Sequence, residues 1–373
     1  MMEKKIVILL NTSWYIYNTR KNLIKILIAE GFKIYTVAPY DSNYSEKLKA
    51  LGCEHHDLPI DSKSKNPFSE IALIWRIRRK LKEIKPDVLL NFTIKPNVYG
   101  TIAASSLKIP CINNISGLGT LFSENPVSRT IFKILFKFSQ NKAKTVFFQN
   151  PEDLQHLTGQ RIVRKEIARL LPGSGVSLNE FSFSPAVTNG TTKFLLMARM
   201  IYPKGIDELV SASHILREKG YDHFKVLLLG ELGVNNPLAI SQKKMDEYCR
   251  NEYVNYLGKT DDVKTVIQKS DAVVLPSYYK EGTPRSLLEA LSVGRPVITT
   301  NMPGCKDTVV DNSNGFICAP KSAKELAQKM ELFLKMDQVA RLKMGEQSRK
   351  IAEEKFDEKI VIDFYLDAIQ SAI

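Results

Sequence analysis

Short apolar runs alternate with helical stretches along most of the chain, and this alternation constrains the fold more than any other feature. Lys5–Leu10 is apolar, Arg20–Ala29 places Leu23, Ile24, Ile26 and Leu27 at helical spacing, and Lys33–Ala38 is apolar again. Glu54–Leu58, Asp87–Phe92, Pro110–Asn114 and Thr145–Phe148 continue the strand series, separated by helical stretches near 43–51, 69–84, 96–106 and 128–142. Strands alternating with helices are joined by crossovers, which makes neighbouring strands parallel and the sheet doubly wound.

The rhythm breaks at Leu171–Pro185, where two glycines, two prolines and four serines read as an interdomain linker. It then restarts. Lys193–Met197, Lys225–Leu229, Val254–Leu257, Ala272–Leu275 and Pro296–Thr300 read as strands, and Gly205–Lys219, Ile240–Asn251, Asp262–Lys269 and Pro284–Val293 as helices. A chain of 373 residues exceeds the usual size of a single core. The expectation is therefore an α/β protein with one domain over residues 1–180 and a second over 181–355. Phe356–Ile373 adds an amphipathic helix carrying Ile360, Val361, Phe364, Tyr365, Ala368 and Ile369.

Charge divides unevenly between the halves. Residues 1–187 hold 27 Lys and Arg against 15 Asp and Glu, whereas residues 188–373 hold 26 against 25. The first half should therefore face something anionic: nucleic acid, an anionic membrane or a phosphorylated substrate. No run of 18 uncharged apolar residues occurs, and only Ile6–Leu10 follows the basic start, so neither a membrane span nor a secretory signal is expected. Cys53, Cys111, Cys249, Cys305 and Cys318 are scattered without a CxxC pair, which argues against a zinc site or disulfide framework and fits a reducing cytosol.

Two segments carry chemistry. Ser270–Thr300 joins a buried strand ending at Leu275 to a polar loop, Glu281-Gly282-Thr283-Pro284, and then to a helix. Glu281 thus falls at the carboxyl edge of a parallel strand, where open α/β sheets bind ligands. Gly282 allows close backbone approach and Pro284 suits a first helical turn. The amides of Arg285, Ser286 and Leu287 then form a helix N-terminus able to hold a phosphate. Glu289 follows eight residues after Glu281, so the two carboxylates either grip two ends of one ligand or are ordinary solvated groups. The second segment, Ala198–Gly205, puts Arg199 and Lys204 on the loop after the first strand of its domain. Two cations there suit a diphosphate, with a solvated loop pair as the alternative.

Arg199…Lys204-Gly205 together with Glu281-(seven residues)-Glu289 resembles the donor site of glycosyltransferase family 4, retaining enzymes of the GT-B fold. Gly173…Gly175-Val176, Phe181, Gly258…Asp262-Val263, Ser270-Asp271, Pro276-Ser277, Ala290 and Gly294…Pro296-Val297 match its supporting pattern. In the first half, Asn91–Asn97, Gly100 and Gly117-Leu118-Gly119 resemble the branch that builds capsular, O-antigen and other polyprenyl-diphosphate-linked glycans.

That resemblance implies two Rossmann-like domains facing each other across a cleft, with the C-terminal helix crossing back to the first. It implies a UDP-sugar donor, a polyprenyl-diphosphate-linked saccharide as acceptor, and hexosyl or N-acetylhexosaminyl transfer with retention and without a cofactor or metal. Arg199 and Lys204 would bind the donor diphosphate, Glu281 would sit beside the sugar, and Glu289 would accept from the ribose hydroxyls. Gly258, Lys259 and Thr260 would meet the base, and Gly282 to Leu287, including Thr283, would line the donor pocket. The leaving phosphate, rather than a carboxylate, would take the acceptor's proton. Arg20, Lys95 and Gly117 are the acceptor-side candidates. The chain departs from the family at Asn11–Tyr15, where a Gly-Gly loop is common, and in having no histidine between His56 and His156.

The basic helices Ile71–Lys85 and Thr130–Lys144 interleave Trp75, Phe132, Phe136 and Phe138 with cations. They suggest peripheral contact with an anionic membrane at the inner face of the cell membrane, with Phe132 and Phe136 inserting. Two rival readings are a sugar-nucleotide 2-epimerase of the same fold and a basic nucleic-acid-binding protein. The first lacks a clear set of acid and base side chains, and the second lacks a recognisable nucleic-acid-binding motif.

Overall fold

A computed structural model describes residues 3–61, 64, 66–118, 126–186 and 190–373. Contacts divide the chain into two units, residues 1–171 with 361–373 and residues 172–360.

The first unit begins β1 (Lys5–Leu9), α1 (Ser13–Ala29), β2 (Lys33–Ala38), α2 (Tyr44–Ala50), β3 (Glu54–Asp57) and α3 (Pro67–Ile84). It continues β4 (Val88–Phe92), α4 (Thr101–Ser106), β5 (Cys111–Ile115), α5 (Pro126–Gln140), β6 (Thr145–Phe148), α6 (Pro151–Gly159) and β7 (Ala168–Leu170). Among the described residues its sheet is parallel, in the order β3-β2-β1-β4-β5-β6-β7. β4 and β5 are buried along their whole length because helices cover both faces, as parallel sheets require. Their asparagines form a buried chain: Asn91 Nδ2 donates to Asn113 Oδ1 at 2.9 Å, and Asn113 Nδ2 to Gln140 Oε1 at 2.8 Å, while Asn91 Oδ1 has no partner.

The second unit runs β8 (Thr192–Met197), α7 (Ile206–Glu218), β9 (Phe224–Leu229), α8 (Gln242–Cys249), β10 (Val254–Gly258), α9 (Val263–Gln268) and β11 (Ala272–Leu275). It is completed by α10 (Arg285–Val293), β12 (Val297–Thr300), β13 (Gly315–Cys318), α11 (Ala323–Lys335) and α12 (Gln338–Lys355). Its sheet is also parallel, in the order β10-β9-β8-β11-β12-β13. Two Rossmann-like units are therefore present, as the alternation implied.

The last helix, α13 (Glu358–Gln370), buries Val361, Ile362, Tyr365 and Ile369 in the core of the first unit, beside Ile16, Leu23 and Phe92. Tyr365 Oη accepts a 2.7 Å bond from Asn114 Nδ2 at the centre of that core.

Leu171–Pro185 is not a free linker. Val176 exchanges backbone bonds with Phe356 and Glu358, and Val176 and Phe181 pack into the core of the second unit. The change of unit accordingly falls at Leu171/Pro172, ahead of 180/181.

Candidate functional site

In a doubly wound sheet the loops diverge where the strand order reverses, leaving a crevice at the carboxyl edge. In the second unit the reversal lies between β8 and β11, in the first between β1 and β4.

The chain after β8 turns through Tyr202–Lys204 to Gly205, at φ +80°. A Cβ on Gly205 would lie 2.1 Å from the Pro276 carbonyl oxygen, so glycine lets the β8 loop rest on the end of β11. Tyr278 N and Ser277 Oγ both donate to the Pro203 carbonyl, at 2.9 and 3.2 Å. Across this seam the Lys204 ammonium bonds the Glu281 carboxylate, and both side chains are largely buried. Ser277 Oγ lies 3.3 Å from the same Glu281 oxygen, and the Lys204 ammonium stands 5.7 Å from the Tyr279 ring centroid.

The acidic loop is supported from below. A Cβ on Gly304 would fall 1.4 Å from the Gly282 carbonyl oxygen, and one on Gly173 would fall 2.8 Å from Thr283 Cβ. Both glycines have positive φ. Burial pushes the neighbouring Cys305 thiol up to about 12, with Glu281 adding to the rise, so this sulfur is a protonated packing group and not a nucleophile.

Thr283 and Pro284 lead into α10, whose N-cap Pro284 has no side chain able to cap it. Leu287 N is taken by the Pro284 carbonyl at 3.0 Å, which corrects the expectation of three free amides. Those of Arg285 and Ser286 have no partner among the described residues. One turn on, Arg285 Nε donates to Glu289 Oε1 at 2.7 Å, so Glu289 is held by its own helix.

Arg199 is exposed at the same edge and has no ion-pair partner among the described residues. Gly258 ends β10 at φ +74°, with its carbonyl accepting from Gly230 N at 2.8 Å, and Lys259 and Thr260 follow. All strands being parallel, these residues share the carboxyl edge with Lys204 and Glu281. The edge thus offers two cations, free helix amides and oriented carboxylates, which is the equipment for a nucleotide diphosphate. A separate cavity of about 490 Å³ lies at the opposite, amino edge, lined by Thr192, His223, Phe224 and Arg341, and touches none of these groups.

In the first unit Arg20 occupies the buried stripe of α1, between Ile16 and Leu23, and is only 3% exposed. Its guanidinium lies 4.4 Å from the Phe92 ring centroid and 5.9 Å from that of Tyr365. Nε has no hydrogen-bond partner, and no carboxylate pairs with it among the described residues. Stacking on aromatic rings returns up to about 2 kcal/mol, whereas taking an ion out of water costs several. Next in the chain after Phe92, Thr93 adopts φ +66°, costly for a β-branched residue, and its buried hydroxyl is also unpartnered.

Lys95 is engaged otherwise, donating to Glu70 Oε1 at 2.5 Å and to the Ser64 carbonyl at 2.9 Å, so its charge is neutralised within the unit. Gly117 follows β5 at φ +105°. Gly119 lies outside the described residues.

The basic helices differ from expectation in which aromatics they present. Phe136 is buried and Phe132 packs against the core, so neither is free to insert. Among the described residues, the exposed large apolar side chains are Ile131, Ile134 and Phe138 on α5, and Phe68, Ile71 and Trp75 on α3. Each trio runs i, i+3, i+7, one face of a helix. Arg78 places its guanidinium 5.7 Å from the Trp75 ring centroid.

Residues 179–351 match the family described as glycosyl transferases group 1, and residues 5–150 match glycosyl transferase 4-like. The chain is 26% identical over 370 residues, 94% of each sequence, to the N,N'-diacetylbacillosaminyl-diphospho-undecaprenol alpha-1,3-N-acetylgalactosaminyltransferase of Campylobacter jejuni. It is 24% identical over 264 residues, 67% of each, to the UDP-Gal:alpha-D-GlcNAc-diphosphoundecaprenol alpha-1,3-galactosyltransferase of Escherichia coli. The fold is similar to that of Anabaena HepE in complex with UDP-glucose, with TM-score 0.78, 17% identity, and coverage of 99% of this chain and 100% of that one.

Proposed function

Because this chain is a glycosyltransferase of the GT-B fold, belonging to the group 1 family through its second half and the 4-like family through its first, we propose that it moves a hexose or N-acetylhexosamine from a UDP-sugar to a polyprenyl-diphosphate-linked saccharide, with retention. The observation that carries the donor side is the Lys204–Glu281 pair at the reversal between β8 and β11. The acceptor side is supported by the two relatives above, whose names both specify a diphospho-undecaprenol acceptor.

In this reading the donor diphosphate lies against Lys204, Arg199 and the amides of Arg285 and Ser286. Negative charge grows on the departing phosphate as the glycosidic bond breaks, and these fixed donors are worth most at that moment. Glu281 orients the Lys204 ammonium and stands beside the sugar. Protein residues need not abstract the acceptor's proton, because the leaving phosphate oxygen can take it on the same face. A 2-epimerase would require an acid and a base flanking the second sugar carbon, and the family matches and named relatives favour transfer instead.

Surface polysaccharide or glycan assembly on a lipid carrier puts the enzyme in the cytoplasm, at the inner face of the membrane. Among the described residues no helix is long and apolar enough to cross a bilayer. The two exposed apolar trios, flanked by Arg76, Arg79, Lys133 and Lys137, support peripheral contact with anionic lipid. The test is a screen of nucleotide sugars for protection against thermal unfolding, followed by transfer to an undecaprenyl-diphosphate saccharide and determination of the product's anomeric configuration. Protection by no uridine nucleotide, or an inverted product, refutes this reading.

A further inference from the structure

We propose that Arg20 is an anion-binding residue of the first unit, receiving a phosphate of the acceptor's diphosphate, with the Thr93 hydroxyl as a second donor. This rests on the lipid-diphosphate acceptor proposed above and names the group that would recognise it.

Three observations converge. Arg20 stands in the apolar stripe of α1, where Ile16, Leu23, Ile24 and Leu27 are its buried companions, so an aliphatic side chain would pack there at no electrostatic cost. A buried guanidinium with an unbonded Nε and no carboxylate is a deficit that calls for an explanation. The position supplies one. Arg20 comes from the helix after β1 and lies over Phe92, the last residue of the adjacent strand β4, at the point where strand order reverses. In the second unit Lys204 and Glu281 mark the corresponding reversal, from the loops after β8 and β11.

The chemistry of the unsatisfied groups selects the ligand. Several polar groups here are spoken for: Tyr365 Oη by Asn114, the Asn114 oxygen by Gln149, and Lys95 by Glu70. Left unbonded and able to donate are the Arg20 guanidinium and the Thr93 hydroxyl, with the positive charge uncompensated, while the unbonded Asn91 Oδ1 lies beside Gly100 on the other face of β4. A tetrahedral oxyanion fits such a set, and a planar guanidinium held flat against Phe92 can meet two of its oxygens at once. The strained backbone at Thr93 belongs to the same edge, where strain is commonly retained for ligand contact.

A purely structural role for Arg20, clamping α1 and α13 onto β4 through its ring contacts, makes opposite predictions. The experiment compares wild type, Arg20→Met and Arg20→Lys with two acceptors of the same saccharide, one on a prenyl diphosphate and one as a neutral alkyl glycoside. Wild type should favour the diphosphate. In Arg20→Met the ratio of the two kcat/KM values should fall at least tenfold, chiefly through acceptor KM, while the melting temperature stays level or rises because a buried charge is gone. Arg20→Lys should keep part of the preference. An unchanged ratio in Arg20→Met, or a lowered melting temperature with equal loss on both acceptors, overturns the assignment of Arg20 alone. Equal use of both acceptors by wild type overturns the lipid-diphosphate reading and Arg20 with it.

Discussion

Lys204 and Glu281, 77 residues apart, form a largely buried ion pair that ties the loop after β8 to the loop after β11. Neither charge is placed for stability alone, since burying a pair gains little over apolar packing. What the pair gains is orientation: an ammonium fixed at the edge where the diphosphate is proposed to lie.

Lys204→Ala should lower turnover roughly a hundredfold or more, because the lost contact strengthens as the phosphate departs. Steady-state kcat, measured on a variant whose circular dichroism matches wild type, decides this. Near-normal turnover would remove Lys204 from the site.

Glu281 and Glu289 should separate kinetically. Glu281→Gln should reduce kcat by roughly 10- to 100-fold with the fold preserved. Glu289→Ala, which also releases Arg285, should raise donor KM while leaving kcat within about threefold, since ribose contacts change little along the reaction. Identical effects on both parameters in the two variants would contradict this division.

Activity should persist in excess EDTA. In the proposed reading, Arg199, Lys204 and the free amides of Arg285 and Ser286 would supply the positive field that a divalent ion would otherwise provide. Among the described residues no three His, Cys, Asp or Glu side chains gather as metal ligands. Loss of turnover on chelation, restored by Mg²⁺ or Mn²⁺, would refute the expectation.

Binding to anionic liposomes should have two separable parts. Changing Arg76, Arg78, Arg79, Lys133 and Lys137 to Gln should remove the salt-sensitive part, each cation near the surface being worth about 1 kcal/mol. Changing Phe68, Ile71, Trp75, Ile134 and Phe138 to Ser should remove the part that survives high salt. Phe136→Leu should leave sedimentation unchanged, because Phe136 is already buried. Equal sedimentation of all variants with wild type would mean that these faces do not meet the bilayer.

The alternation of strands and helices was legible because each buried parallel strand is a nearly unbroken apolar run, as in Val7–Leu9 or Ala272–Leu275. β7 and β13 escaped notice: Ala168–Leu170 is three residues long and exposed after Ala168, and Gly315–Cys318, though as long as β11, opens on a glycine instead of an apolar side chain. Arg199, Lys204 and Glu281 stood out by residue type beside a strand end. The pairing of Lys204 with Glu281 did not, because only the sheet order sets β8 against β11. The same limit hid the support from Gly304, which acts through a backbone approach that no spacing encodes. Likewise the glycine- and serine-rich Leu171–Pro185 has a linker's composition, yet its Val176 and Phe181 find a core made by residues far along the chain.

Because α13 completes the core of the first unit, the order of synthesis differs from the order of the units. A ribosome has made all of residues 172–360 before Tyr365 emerges to meet Asn114 and Phe92. The nascent first unit therefore waits with the part of its core around Phe92 and Phe147 lacking Tyr365 while the second is built, and the second can reach its full set of contacts first. Domains usually mature in the order they leave the exit tunnel. Here the earlier-made unit closes last.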